Sequence, residues 1–237
     1  MNPYEKLINR KRKWTPVQTT AGTCKQGAEE AIHRALALRH MELPVGDFIT
    51  DALSTEVPSN ARELLHSNVL DEENHDVALG YIANAYGVDE KAEKEALRLK
   101  TAWETHPDHT ITKALVAERA IFFVLLPFFR FNGDAGMRTV SADISRDEQI
   151  HVATNSLVHT ELGYNISPSL DKLRKATINW VMQPLGSHAD KYLDKKFWLD
   201  SSDRLMYEGK APQLAETKSA RMPAFFEHSN VNLPQYA

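Results

Sequence analysis

A single cysteine, Cys24, among 237 residues excludes an internal disulfide framework and fits a reducing compartment. Glycine is scarce at 10 residues, and no stretch alternates with period two between hairpin turns, so the sheet architectures have no support. The longest apolar run, Ala120 to Phe129, is half of the roughly 20 residues that a membrane span needs. The N-terminus lacks the apolar core of a signal peptide. No charge sign dominates either: a net charge of −4 gives no general pull toward nucleic acid or an anionic membrane. These absences lead us to expect a cytoplasmic protein with no direct nucleic-acid or membrane partner. The one local exception is the basic cluster Asn9 to Lys13, expected as a solvated helix end.

What is present is helical. Hydrophobic content of 42% and charged content of 25% are ordinary for a globular chain of this length, which can bury a substantial core. Apolar spacing predicts helices at roughly 23–43, 46–55, 59–86, 88–104, 108–131, 138–163, 167–183 and 187–208, with boundaries good to a few residues. The breaks are punctuated by Pro44 and Gly46, Pro58, Gly87, Pro107, Asn132-Gly133-Asp134, Gly163 and Pro184-Leu185-Gly186. There is no internal repeat or low-complexity linker, so one domain over 1–208 is the simplest division. From Gly209 the helical pattern stops, and 209–237 reads as a flexible tail with isolated apolar anchors.

Glu-x-x-His occurs four times, as Glu30/His33, Glu63/His66, Glu72/His75 and Glu148/His151, where random placement gives about 0.8. A Glu and a His three apart project from one helix face about a turn apart, so both can grip one metal. Two such pairs on different helices, with one more Glu from each of two others, make the ferritin-like dimetal-carboxylate bundle. Context sorts the four. Glu63/His66 and Glu72/His75 are nine residues apart on one helix and therefore on opposite faces. The face of Glu72 carries Leu65, Val69, Leu79 and Ile82, so that pair is buried; the face of Glu63 carries Ser59, Asn60 and Ser67, so that one is solvated.

The two extra carboxylates are then sought on the other helices. Glu118 lies in the stripe Ile111, Ala114, Leu115, Ile121, Phe122, Leu125 and Phe129, apolar above and below the acid. A charge in such surroundings is paired or metal-bound. Glu42 has Ala31, Ala35 and Leu38 along its face, whereas Glu30 has Gln26, His33 and Arg34; burial favours Glu42, near a helix end set by Pro44. His33 and His40 read as ordinary surface or partly buried histidines. The expected ligand set is Glu42, Glu72, His75, Glu118, Glu148 and His151. Hard carboxylates with two imidazoles suit iron or manganese better than structural zinc.

Several segments resemble the small, metal-bearing β subunit of class I ribonucleotide reductase. Ile144 to His151 (ISRDEQIH) is similar to that family's ligand helix, and Ala117 to Phe123 (AERAIFF) to the helix bearing its third carboxylate. Ala61-Arg62, Lys13-Trp14-Thr15-Pro16, Ser202 to Met206 (SDRLM), and Phe225-Phe226-Glu227 followed by Tyr236 also match. The resemblance spans nearly the whole chain, with deletions, chiefly between His75 and Glu118.

The resemblance implies radical generation. An oxidised dimetal cofactor would pass its oxidising equivalent to a cysteine of a catalytic α subunit, starting reduction of ribonucleotides to deoxyribonucleotides. It assigns radical transfer to Trp14, Asp147 and Tyr236, places Phe122 and Arg146 beside the ligands, and implies a homodimer. Tyr207 is a fallback relay, but its place beside Arg204-Leu205-Met206 suggests a helix-end core residue instead.

Three departures from the family shape these expectations. The radical tyrosine's position, four residues after the first histidine, holds Leu79, and Tyr81 lies roughly 200° further round the helix; the oxidant would therefore reside on the metals. Glu42 replaces the commoner Asp, which with Leu79 resembles branches using a manganese/iron pair; manganese/manganese and iron/iron pairs are alternatives. The sequence ends one residue after Tyr236, so either 209–237 both docks on α and relays the radical, with Phe225, Phe226 and Tyr236 as anchors, or the partner is bound differently. Two other readings are weighed against this one: a ligand-binding oxidase of similar fold acting on a fatty-acid-like molecule, and an iron-storage bundle.

Overall fold

The computed structural model describes residues 2–55 and 57–214. Among them no β-strand forms, and ten α-helices make up the structure. They are α1 (Pro3–Ile8), α2 (Glu29–Ala37), α3 (Glu42–Leu53), α4 (Arg62–Tyr86), α5 (Glu90–Glu104), α6 (Thr110–Ala117), α7 (Phe123–Asn132), α8 (Ala135–Glu161), α9 (Pro168–Met182) and α10 (Lys195–Glu208). A π segment, Glu118–Phe122, joins α6 to α7. The protein is an all-α, ferritin-like bundle with additional helices. No helix among the described residues is long and apolar enough to cross a membrane.

Four helical rods form the centre. α3 packs on α4 and α6, while α4, α6 and α7 all pack on α8. The two longest, α4 with 25 residues and α8 with 27, each span about 40 Å, enough to carry ligands at mid-length with apolar layers on both sides. Buried apolar side chains from Tyr4 to Leu214 form one connected core. Local chemistry fixes the ends. Gly87, at φ 97°, closes α4 in a conformation that a side chain disfavours. The tight step from α7 into α8 requires Gly133, where any Cβ would lie 2.6 Å from the Phe129 carbonyl oxygen. Asp134 then caps α8 by accepting from the Met137 N–H at 2.8 Å.

Three expected helices differ from the observed ones. The break expected at Pro44 and Gly46 falls instead at a 3-10 turn, Leu38–Met41. Pro44 sits in the first turn of α3, where a missing N–H costs nothing, so it starts a helix rather than ending one. Residues 23–28 are not helical. The final helix begins at Lys195 rather than near 187, because side chains bind the local backbone. His188 Nδ1 accepts from the Asp190 N–H and Asp190 Oδ1 from the Tyr192 N–H, both at 2.9 Å.

Nor is the basic cluster simply a solvated helix end. After α1 the chain runs as a strap over α4 and α8. Lys11 forms an ion pair with Asp71, and Arg12 reaches Asp143 at 3.0 Å.

Candidate metal centre

Glu42 is the first residue of α3, Glu72 and His75 lie at mid-length of α4, Glu118 opens the π segment, and Glu148 and His151 lie on α8. All six are buried, with at most 1% exposure. They fall into two groups: Glu42, Glu72, His75 and Glu148, and Glu72, Glu118 and His151. Glu72 turns Oε2 toward His75 Nδ1 (3.5 Å) and Oε1 toward His151 Nδ1 (2.9 Å). Glu148 does the same with Oε1 (3.4 Å) and Oε2 (3.9 Å). Glu72 thus belongs to both groups and Glu148 faces both imidazoles, while Glu42 Oε2, 3.6 Å from His75 Nδ1, and Glu118 Oε1, 3.7 Å from His151 Nδ1, each serve one side. The imidazoles stack between them, with centroids 5.6 Å apart.

The cluster's donor atoms test whether metal fits. Glu42 Oε2, both oxygens of Glu72, His75 Nδ1, Glu118 Oε1, both oxygens of Glu148 and His151 Nδ1 are buried without a hydrogen-bond partner. Such atoms are expensive to bury, and these are the inward-facing donors of both groups. Four carboxylates carry four negative charges, which two divalent cations neutralise with both imidazoles neutral. The donor set is oxygen-rich with two nitrogens, as a divalent metal ion requires. The residues present therefore fit a dinuclear centre.

Electrostatics of the metal-free chain point the same way. Burial, then the Glu148 charge, pushes the Glu118 carboxyl well above the usual carboxylate range. Burial likewise raises Glu42 and Glu148. Burial would raise Glu72 too, but contacts first with His151 and then with His75 reverse this and hold it low. Burial disfavours the charged imidazoles, yet Asp147 and the glutamates lift His75 well above its ordinary value, and Asp71 followed by Glu72 lifts His151 to about 10.

A second layer holds the ligands. His75 Nε2 lies 3.4 Å from Asp147 Oδ2, and the same oxygen accepts from Trp14 Nε1 at 2.5 Å. Trp14 is half-buried on the strap, its ring near-parallel to that of His75 with centroids 6.2 Å apart. His151 Nε2 lies 2.9 Å from Asp71 Oδ2, the oxygen paired with Lys11. Despite burial, His151 and Lys11 keep Asp71 below its ordinary pKa. Asn155 Nδ2 donates to Glu118 Oε2 at 2.6 Å, leaving Oε1 to face the site.

Glu118 also depends on its backbone. The Phe123 N–H reaches back to the Glu118 carbonyl, the wide turn of a π-helix. From α10, Ser202 Oγ donates to the Ala120 carbonyl (2.6 Å), and Arg119 Nε donates to the Leu205 carbonyl (3.0 Å). Fully buried Arg174 donates to Ser202 Oγ and pairs with Asp203. The segment Ser202 to Met206 thus braces the π segment from outside.

The other expected residues are placed as follows. Leu79 is a buried core residue on α4, and Phe122 is buried at the end of the π segment. Arg146, expected beside the ligands, is exposed instead: two residues before Glu148 on a helix is roughly 200° round its axis. Glu63 and His66 are exposed, and His33 packs on Tyr86 with centroids 4.9 Å apart. Tyr207, expected as a core residue at a helix end, is instead 60% exposed near the end of α10, where its hydroxyl donates to Asp171. Phe225, Phe226 and Tyr236 lie outside the described residues, as does the 209–237 tail beyond Leu214.

Asp71, Lys11, Asn155 and the π segment escaped the sequence reading. Asn155 has a signal, since it continues the Glu148/His151 face at i+7; the Lys11–Asp71 pair has none, being purely tertiary. No protein-family model and no curated protein matches the chain.

Proposed function

We propose that this protein is the radical-generating β subunit of a class I ribonucleotide reductase. The observation that carries the reading is the contact series Trp14–Asp147–His75. One carboxylate oxygen joins a half-buried indole to an imidazole of the ligand cluster. A self-contained oxidase or a storage bundle has no use for such a link from its buried centre to a redox-active ring near the surface. A cleft of about 430 Å³, lined by Trp14, Pro16, Val17, Thr139, Val140 and Asp143, gives an electron partner access beside the indole.

Glu42, Glu72, His75 and Glu148 would hold one metal, and Glu72, Glu118, Glu148 and His151 the other. We favour a manganese/iron pair, with manganese/manganese or iron/iron as alternatives. When bound, such a pair supplies a one-electron oxidising equivalent after reaction with oxygen or a reduced oxygen species. The chain's own groups manage its export. Asp147 accepts from Trp14 Nε1 and stands ready to take the indole proton as the ring is oxidised. Leu79 offers no oxidisable side chain at the position of the family's radical tyrosine. Tyr236, on the tail, would relay the radical to α. A homodimer in the cytoplasm, acting with a catalytic α subunit on ribonucleoside di- or triphosphates, completes the proposal.

The test pairs the metal-loaded protein with the α subunit of the same genome and measures deoxyribonucleotide formation. Trp14→Phe should keep both metals while losing turnover by more than tenfold. Undiminished turnover in that variant, or none in the parent protein, would refute the reading; oxidation of a co-purifying fatty acid would favour the oxidase instead.

A further inference from the structure

We infer that Asp71, locked by Lys11, is the positioning residue for the second metal site, and that the strap from Lys11 to Trp14 secures both histidines, one anchor for each. The inference rests on the dimetal centre and not on radical export, so a failed nucleotide-reduction assay leaves it standing.

A metal-bound imidazole must keep its proton on the outward nitrogen and its lone pair on the inward one. A carboxylate at the outward nitrogen fixes that tautomer, orients the ring and raises its basicity. Both histidines have one. His75 turns Nε2 to Asp147 and Nδ1 inward; His151 turns Nε2 to Asp71, at 2.9 Å, and Nδ1 inward.

Each outer carboxylate is gripped in turn by the same short segment. Trp14 Nε1 donates to Asp147, while Lys11 Nζ pairs with Asp71 and donates to Asn68 Oδ1 at 2.8 Å. Arg12, between them, binds Asp143 one turn before Asp147 on α8. The Lys11 and Asp71 side chains are only 11% and 13% exposed, so salt screens this pair weakly.

The two anchors are chemically unequal. Asp147 accepts from a neutral indole N–H, whereas Asp71 pairs with an ammonium. Removing the Asp71 charge would therefore do two things at the second site: free the His151 ring and leave the Lys11 ammonium without its counter-charge behind that ring. The first site would keep Glu42, Glu72, His75, Glu148 and its own outer carboxylate.

The experiment is a Mn(II) titration of the full-length metal-free chain, followed by electron paramagnetic resonance. In the parent protein the second equivalent should convert the mononuclear signal into a coupled dinuclear one. In Asp71→Asn the first equivalent should bind as before, within about threefold, while the conversion shifts to roughly 10–100-fold higher Mn(II). The double variant K11M/D71N, which removes the stranded cation, should regain part of this loss and no more; it also serves if Asp71→Asn alone folds poorly. Parent-like conversion in Asp71→Asn, equal loss at both sites, or full recovery in the double variant would overturn the inference.

Discussion

Replacing Glu118 with Gln should weaken metal binding and stabilise the metal-free fold at the same time. Glu118 is fully buried, with Oε2 held by Asn155 at 2.6 Å and Oε1 unpartnered, 3.7 Å from His151 Nδ1. An amide of the same shape keeps the Asn155 bond through its carbonyl oxygen. Its NH2 then takes the place of the inward oxygen, where burial and then Glu148 oppose a negative charge more than His151 favours it. Leaving a buried polar group uncompensated costs about 1–3 kcal/mol, so metal-free Glu118→Gln, which removes the buried charge, should melt roughly 2–12 °C above the parent chain. Metal affinity should move the other way. Losing a mere second-layer partner costs roughly 10–100-fold, so losing a directly bound anionic oxygen should exceed 100-fold, or about 2.7 kcal/mol, at the second site. Calorimetric melting of the metal-free proteins and site-resolved metal titration read the two effects separately. A variant that binds two metals as tightly as the parent, or one that melts lower without metal, would refute the argument that this carboxylate is retained for the metal alone.

The pH dependence should differ between the metal-free and loaded forms. His151 is raised from an ordinary 6.5 to about 10, so its protonation stabilises the metal-free fold fully below pH 6.5, and that contribution is lost as pH rises toward 10. Metal-free protein should accordingly melt at falling temperature across that window while the loaded protein, whose imidazoles are already neutral, does not follow it; parallel profiles would contradict the assignment. Loading near neutral pH should also release a proton from each imidazole, seen as a binding enthalpy that varies with the buffer's ionisation heat. Because Leu79 occupies the position four residues after His75, the oxidised, loaded protein should show no sharp tyrosyl-radical resonance; its appearance would mean that another tyrosine, Tyr81 first, serves.

The helical class and the choice between Glu72/His75 and Glu63/His66 were legible in the sequence because burial leaves a periodic trace. Nine residues of separation on one helix put one pair in the core and the other in water. The π segment left no trace: Phe123 to Asn132 is apolar nearly all round, and a one-residue register shift is invisible where every face is hydrophobic. The ends of α3 were misread because Pro44 breaks a helix interior but suits a first turn, and only the fold shows which applies. Lys11 and Asp71 meet across 60 residues of chain, and no local pattern announces a tertiary ion pair. Arg146 was expected at the site because it lies within the ligand-bearing segment, yet helix geometry turns it outward.

Two cations held about Glu72 and Glu148 are the centre of the proposed chemistry. Crystals of the loaded protein, measured at the manganese and iron absorption edges, test this directly. Two anomalous peaks about 3.5–4 Å apart are predicted, one against Glu42 and His75 and the other against Glu118 and His151. A single peak, or metal bound away from these six side chains, would contradict it.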